Sequence, residues 1–309
     1  MALLNPPETR LSVIVLIARH LAGCANFQDD KDRLINCLSP IGLADENTAS
    51  AIRNSQNDAS INLTQAIEIG IVEDDKDITR LSAAAASAIH DGTDAFVKHA
   101  RTQILDTSRN RAAWRSQKGA RDLTNALAWH LSIPATRAPE GMEAGPEPRA
   151  DTLLEEDFGP REGDENKGFN WPVVNRVRWP TFGRWACSLG FAWRDPSGRL
   201  IPDPTVAIRD VLSEVFAENN ILPAKDFIGN LGVALPVLEG GAYRKFVEKN
   251  WNRSADDRNR LSQATTDALR RLDWSGTLDF RSVADDPGVV TYADGEDFSE
   301  VTLAQSGTN

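Results

Sequence analysis

Residues 57–82, NDASINLTQAIEIGIVEDDKDITRLS, decide how the chain is read. Leu63, Ala66, Ile67 and Gly70 fall at i, i+3, i+4 and i+7, the spacing of one buried face of an amphipathic helix. Gly70 supplies the stop, because a helix commonly ends on a glycine free to take positive φ. Ile71-Val72 and Ile78-Thr79-Arg80-Leu81 are short β-prone runs on either side of a polar turn, Glu73-Asp74-Asp75-Lys76-Asp77. The stretch therefore reads as a helix from about Asp58 that runs straight into a two-stranded hairpin.

Working outward, residues 8–23 form a helix whose central face is almost wholly apolar, the expected core helix. Asp29-Asp30-Lys31-Asp32 opens a second helix, with acids at the end the helix dipole favours, and that helix closes near Ser39-Pro40. Asn47 or Thr48 caps a short third segment through Arg53. After the hairpin, Ala83 to Ala88 has strong helix propensity, the signal breaks at Asp91-Gly92 and continues to Leu105, then resumes over 108–131. Helices followed by a hairpin in this order resemble the winged-helix family. That resemblance implies a third helix able to enter a DNA major groove and a wing that touches the flanking backbone. A first domain over 1–133 is expected.

Residues 134–168 hold Pro134, Pro139, Pro146, Pro148 and Pro160 among acids and glycines, the composition of a linker too poor in apolar groups to offset its ordering entropy. Aromatic residues follow: Phe169, Trp171, Trp179, Phe182, Trp185, Phe191 and Trp193. Trp179, Phe182, Trp185, Ala186 and Leu189 lie at helical spacing and belong in a core, with Gly190 as the stop. Phe191-Ala192-Trp193 and Arg199-Leu200-Ile201 flank the turn Asp195-Pro196-Ser197-Gly198, a second hairpin, and Pro204 starts a helix. A further helix over 256–272 carries Leu261, Ala264, Ala268, Leu269 and Leu272 on one stripe and ends at Ser275-Gly276. Thr277-Leu278-Asp279-Phe280 and Val289-Val290-Thr291-Tyr292 then read as strands. This repeats the helix, glycine, strand, turn, strand pattern of the opening stretch. The expected fold is mainly α with small β-hairpin wings (α+β), tandem winged-helix domains at 1–133 and 169–292 and an acidic tail at 293–309.

The 309 residues suffice for about two domains. No apolar run approaches the ~20 residues of a membrane span, and Asn5-Pro6-Pro7-Glu8 lacks the basic start of a signal peptide. Cys24, Cys37 and Cys187 are scattered without C-x-x-C spacing, which argues for reduced thiols and against a disulfide frame or zinc site. A cytoplasmic protein with no cofactor and no bound metal is expected. A net charge of −11 is unusual for a nucleic-acid binder, but the sign is uneven. Lys98, Arg101, Arg109, Arg111, Arg115, Lys118 and Arg121 form a basic run in which Asp106 is the one acid. Arg111, Arg115, Lys118 and Arg121 or Asp122 recur at three- and four-residue steps beside Trp114, a stripe suited to a phosphate backbone. The equally weighted alternative is a solvated face paired with the acids downstream.

On the presumed third helix, Ser60 and Asn62, with Arg53 before it, are groups that hydrogen-bond bases or phosphates, while Lys76 and Arg80 sit on the wing. Asp74, Asp75 and Asp77 offset those two cations. Enzyme signatures are absent: there is no H-E-x-x-H, G-x-S-x-G, Walker A loop or strand-linked G-x-G-x-x-G. The histidines His20, His90, His99 and His130 are unpaired at i, i+4, and His20 reads as packing or capping. A non-enzymatic role is expected.

Trp179-x-x-Phe182-x-x-Trp185, then Leu189-Gly190-Phe191 and Asp203-Pro204, resembles the DpdG-like accessory proteins of bacterial DNA-modification and anti-phage islands. The resemblance implies a non-catalytic role beside helicases, nucleases or modification enzymes, and carries over no functional residue. The leading expectation is a DNA-binding or DNA-sensing subunit that contacts DNA through its backbone and other proteins of a multi-subunit complex, with no membrane. The alternatives are a winged-helix adaptor that docks protein without DNA, and a transcriptional regulator, which requires a symmetric dimer.

Overall fold

The computed structural model describes residues 3–39, 49–110, 119–143, 145–161, 171–173, 175–253, 260–282 and 288–304, with the backbone alone at 49–53. It is mainly helical with small antiparallel sheets, an α+β chain. No described helix is long and apolar enough to cross a membrane. The chain divides into two compact units, Met1–Asp122 with Pro180–Ser188 and Leu123–Trp179 with Leu189–Asn309.

In the first unit the order is α1 (Leu11–Ala22), β1 (Gln28–Asp30), α2 (Lys31–Leu38), α3 (Ala49–Glu68), β2 (Val72–Asp75) and β3 (Ile78–Leu81). The strands form one antiparallel sheet in the order β1-β3-β2. Ile14, Ile17, Ala18 and Leu21 of α1 are buried on one stripe, α1 packs on α3, and Leu63 and Ala66 of α3 are fully buried. Asp30 caps α2, its carboxylate accepting the Arg33 N–H at 2.9 Å. Gly70 ends α3 as the sequence implies. It takes φ +76, its N–H reaches the Ile67 carbonyl, and the Ile71 N–H reaches back to Ala66. Those two bonds form a Schellman cap.

Three local expectations change. The short segment through Arg53 and the helix from Asp58 are one continuous α3, because the polar residues Asn54, Ser55 and Asn57 lie on its exposed side and interrupt nothing. The five-residue turn shrinks to Lys76-Asp77, since Asp74 and Asp75 pair with Thr79 and Ile78 in the ladder. The three-residue β1 had no sequence signal of its own. Beyond β3, Ser82 caps α4 (Ala83–His90), and α5 (Thr93–Leu105) follows the break at Gly92. Where helix was expected from Ser108, residues 107–110 form a turn in which the Asn110 side chain donates to the Ile104 carbonyl and accepts from the Ala120 N–H. Residues 111–118 lie outside the described set, and α6 (Arg121–His130) falls in the expected helical stretch.

The expected linker contains α7 (Ala150–Phe158), which buries Leu153 and Leu154 in the second unit. Next come α8 (Arg178–Ser188), which from Pro180 onward belongs to the first unit, and then β4 (Ala192–Arg194) and β5 (Leu200–Pro202) of the second. Trp179, Phe182, Trp185, Ala186 and Leu189 are all buried, as their spacing demands. In the β4–β5 turn one oxygen of Asp195 accepts from the backbone N–H groups of Ser197 and Arg199. The Ser197 hydroxyl above all, then the Arg199 guanidinium and backbone N–H, bring its carboxyl down to about 2 against the opposing pull of desolvation.

The rest of the second unit runs α9 (Thr205–Phe216), β6 (Ile221–Pro223), α10 (Ala224–Ala234), α11 (Ala242–Asn250), α12 (Gln263–Trp274), β7 (Leu278–Arg281), β8 (Val290–Thr291), β9 (Asp297–Phe298) and β10 (Glu300–Leu303). Its sheet is β6-β10-β7, again antiparallel. With α11 and the β8–β9 hairpin set aside as insertions, helix, strand, helix, helix, strand, strand recurs with the same strand order. The match extends to single bonds. The first residue of α2, Lys31, donates to Asp77 just before β3, and the first residue of α10, Ala224, donates to Ser299 just before β10. Gly276, at φ +67, closes α12 with the same pair of bonds, Gly276 to Asp273 and Thr277 to Leu272.

The second copy departs from the sequence reading at both ends. Helix α12 starts at Gln263, because Ser262 caps it and Leu261 instead donates to the Thr291 carbonyl; residues 254–259 lie outside the described set. The partner of β7 is β10 and not the Val290-Thr291 run, so the expected acidic tail supplies the central strand. It pairs with β6 on one side and β7 on the other, and its Val301 is fully buried. Phe280 of β7 meets Phe227, Tyr292 and Phe298 with ring centroids 5.1–6.4 Å apart and edge-on planes, geometry that aromatic quadrupoles favour.

Candidate nucleic-acid interface

Helix α3 offers little to a groove. Asn62 is fully buried: its Oδ1 accepts the Arg10 N–H at 2.7 Å, and its Nδ2 donates to the carbonyls of Asp58 and Glu8. The side chain fastens the start of α1 to α3 and, being fully buried, is out of reach of a base. Gln65 is buried beside it in sequence, while Ser60 and Thr64 are half-buried, with Thr64 Oγ1 donating back to the Ser60 carbonyl. The Arg53 side chain lies outside the described residues. On the hairpin, Lys76 and Arg80 are exposed, and Arg80 donates to Gln28 Oε1 across the sheet at 3.0 and 2.5 Å.

The basic run is divided by its surroundings. Lys98 is exposed on α5, but Arg101 is 2% exposed, on the buried side with Phe96, Ala100 and Ile104, so it is not available to a phosphate. Arg109 lies against the end of α3, where its guanidinium occupies the space a Cβ at Gly70 would need, 2.4 Å away. A cation there complements the helix C-terminus. It also pairs with Asp106 at 3.5 Å, and burial together with the Arg109 charge holds His99 below the ordinary histidine range. Arg121 is half-exposed at the start of α6. Arg111, Arg115 and Lys118, with Trp114, lie outside the described residues.

The counterpart of α3 in the second unit is α12, whose outward side carries Gln263, Asp267, Arg270, Arg271 and Trp274. Its cations are engaged. Arg270 lies over the Tyr292 ring at 4.2 Å and pairs with Glu296 and, at 3.4 Å, with Asp294; Arg271 pairs with Asp203 at 3.0 Å. Burial pushes the Tyr292 phenol up, so it remains a neutral ring under the cation. Trp274, 81% exposed, lines a pocket of about 500 Å³ with Thr266, Asp267, Arg270, Arg271, Asp294 and Glu296.

Sequence reasoning missed a buried ionic network in the same unit. Arg253 forks onto Asp157, Nε to Oδ1 and Nη2 to Oδ2, each at 2.7 Å, and Trp129 Nε1 donates to the same carboxylate at 2.8 Å. Arg244, nearly fully buried, pairs with Glu248 at 2.7 Å and Glu239 at 3.5 Å. Trp251 has the Arg253 and Arg244 cations over its ring at 4.5 and 5.1 Å. Asp157, Arg244, Trp251 and Arg253 border a cleft of about 480 Å³. The available signal was Asp157 three and four residues after Leu154 and Leu153, which puts a carboxylate on the buried side of α7.

A family model described as DpdG-like matches residues 1–286. The chain belongs to the DpdG-like family. Membership associates it with DNA modification and agrees with the resemblance carried by the Trp179–Trp185 helix. Neither a curated protein nor a solved structure matches it.

Proposed function

We propose that the chain is a non-catalytic subunit of a bacterial DNA-modification or defence assembly, built on two winged-helix modules, that senses DNA through its backbone. The duplicated helix, strand, helix, helix, strand, strand order carries this reading, down to the matched bonds of Lys31 and Ala224 and the matched caps at Gly70 and Gly276. Family membership supplies the DNA-modification setting. Groove reading by α3 is weak, because Asn62 is buried and the helix presents no free cation among its described side chains. Affinity therefore rests on Lys98, Arg109, Arg111, Arg115, Lys118 and Arg121, through phosphate contacts.

Binding of the full chain to duplex DNA in a mobility-shift assay should fall steeply with salt. Arg111→Ala with Arg115→Ala should lower the slope of log affinity against log salt by about two, and reversal of both to Glu should abolish the shift. Salt-insensitive binding, or none at low salt, rejects the reading. One observation favours a second reading, an adaptor that docks protein: α12 holds its cations in ion pairs and leaves Trp274 open, the kind of aromatic anchor that interfaces use. Trp274→Ala would then abolish co-purification with a partner, in a chain that shifts no DNA at any salt.

A further inference from the structure

We propose that His20, Cys24 and Asp29 form a zinc site joining the end of α1 to the first strand of the sheet. His20 lies in the last turn of α1, Cys24 two residues beyond its end, and Asp29 in the middle of β1. Asp29 Oδ2 is 2.7 Å from His20 Nε2 and 3.8 Å from Cys24 Sγ, and the three donor atoms all lie within 4.8 Å of one another. Among the described residues this is the one such cluster.

The two carboxylate oxygens have separate tasks. Oδ1 accepts the Asp30 N–H at 2.9 Å and faces Arg33 Nε at 3.1 Å, which fixes the plane of the carboxylate. Oδ2 is thereby turned toward the imidazole and the thiol, the arrangement in which outer partners orient a ligand. Between Cys24 and Asp29 the chain folds back through Asn26 and Phe27, consecutive non-glycine residues at φ 55 and 56. That strained reversal is what returns Cys24 to the carboxylate.

One nitrogen, one sulfur and one oxygen suit zinc and exclude the hard cations that require all-oxygen shells. Tetrahedral bonds of about 2.0–2.3 Å place neighbouring donors roughly 3.3–3.5 Å apart, between the two separations observed. On binding, the Cys24 thiol loses its proton to solvent, and His20 carries its remaining proton on Nδ1 so that Nε2 offers a lone pair. Thiolate and carboxylate together neutralise the dication. Both His20 and Cys24 retain partial exposure, leaving a fourth position for water. The sequence concealed the set because H-x-x-x-C-x-x-x-x-D spans a helix end, a reversal and a strand, with no C-x-x-C to mark it.

Full-length, metal-free protein titrated with Co²⁺ should take up one ion per chain. A thiolate-to-cobalt charge-transfer band in the near ultraviolet would mark it, and Zn²⁺ should bleach that band. Cys24→Ser should remove the band. His20→Gln and Asp29→Asn should weaken binding more than about tenfold, beyond the lower limit for losing an outer partner. Cys37→Ser and Cys187→Ser should leave the band intact. Absence of the band, or its survival in Cys24→Ser, overturns the site. Cys24→Ser is close to isosteric, so it decides the matter even if loss of the Asp29 carboxylate unfolds the chain.

Discussion

The segments α3–β2–β3 and α12–β7–β10 solve one folding problem twice, with different materials. Each helix ends in a Schellman cap on a positive-φ glycine, and each is followed by two strands of a three-stranded sheet. In the first unit two residues, Lys76 and Asp77, separate the strands. In the second, eighteen residues intervene and carry the β8–β9 hairpin, whose Phe298 packs edge-on to Phe280 at 5.1 Å. The first copy relies on local pairing and aliphatic burial, the second on an aromatic cluster assembled from distant parts of the chain. The difference teaches that a shared topology constrains the caps and the strand order, and leaves the source of stability open.

Cutting out the aromatic cluster is the strongest way to break that contrast. Phe298→Ala should destabilise the chain by about 3–5 kcal/mol, the transfer and cavity cost of a buried ring. Leu81→Ala, in the closing strand of the first sheet, should cost less, about 2–3 kcal/mol. Urea unfolding of both variants gives the comparison. Equal losses would mean that the second sheet does not depend on its inserted hairpin.

The same contrast explains what the sequence disclosed. The end of α3 was readable because Gly70 and its cap are local: periodicity, glycine and hairpin lie within 26 contiguous residues. The strand β10 was not, since Glu300 and its acidic surroundings look like a tail until Val301 and Leu303 are placed opposite Phe280 and Leu278. The candidate site divides in the same manner. Exposed Lys76, Arg80 and Lys98 were readable from charge alone. Asn62 and Arg101 were not, because polar residue types read as surface unless one knows that the Glu8, Asp58 and Arg10 backbones hold the buried amide of Asn62.

Histidine environment sharpens the comparison through pH. In the first unit His20 hydrogen-bonds a carboxylate, whereas in the second His130 is fully buried among rings, 6.3 Å from Trp129 and 6.2 Å from Trp179. Burial, with the Arg194 cation adding to it, holds His130 down to about 3. The unfolded chain takes up this proton near pH 6.5 and the folded chain does not. Stability is therefore full above pH 6.5 and falls as pH drops toward 3, by about 1.4 kcal/mol per pH unit. Denaturation at pH 7 and pH 5 should differ by about 2 kcal/mol from this group. Replacement of His130 by Leu should flatten the dependence by that amount, and an unchanged slope would show that the ring is protonated in the fold.

The smallest effect separates the two caps themselves. Alanine at Gly70 or Gly276 must adopt positive φ, at about 1–2 kcal/mol in either unit. A Cβ at Gly276 meets nothing within 4 Å, but at Gly70 it displaces the Arg109 guanidinium and with it the ion pair to Asp106. Gly70→Ala should therefore cost more than Gly276→Ala by a further few tenths to ~1 kcal/mol, the range of an exposed ion pair and a cation at a helix end. The excess belongs to Arg109 and not to the backbone, so in an Arg109→Ala background the two glycine substitutions should become equal. A double-mutant cycle on thermal or urea unfolding measures it. Were the excess to survive without Arg109, the caps would differ in backbone strain, and the single-bond correspondence between the two copies would end at their third helices.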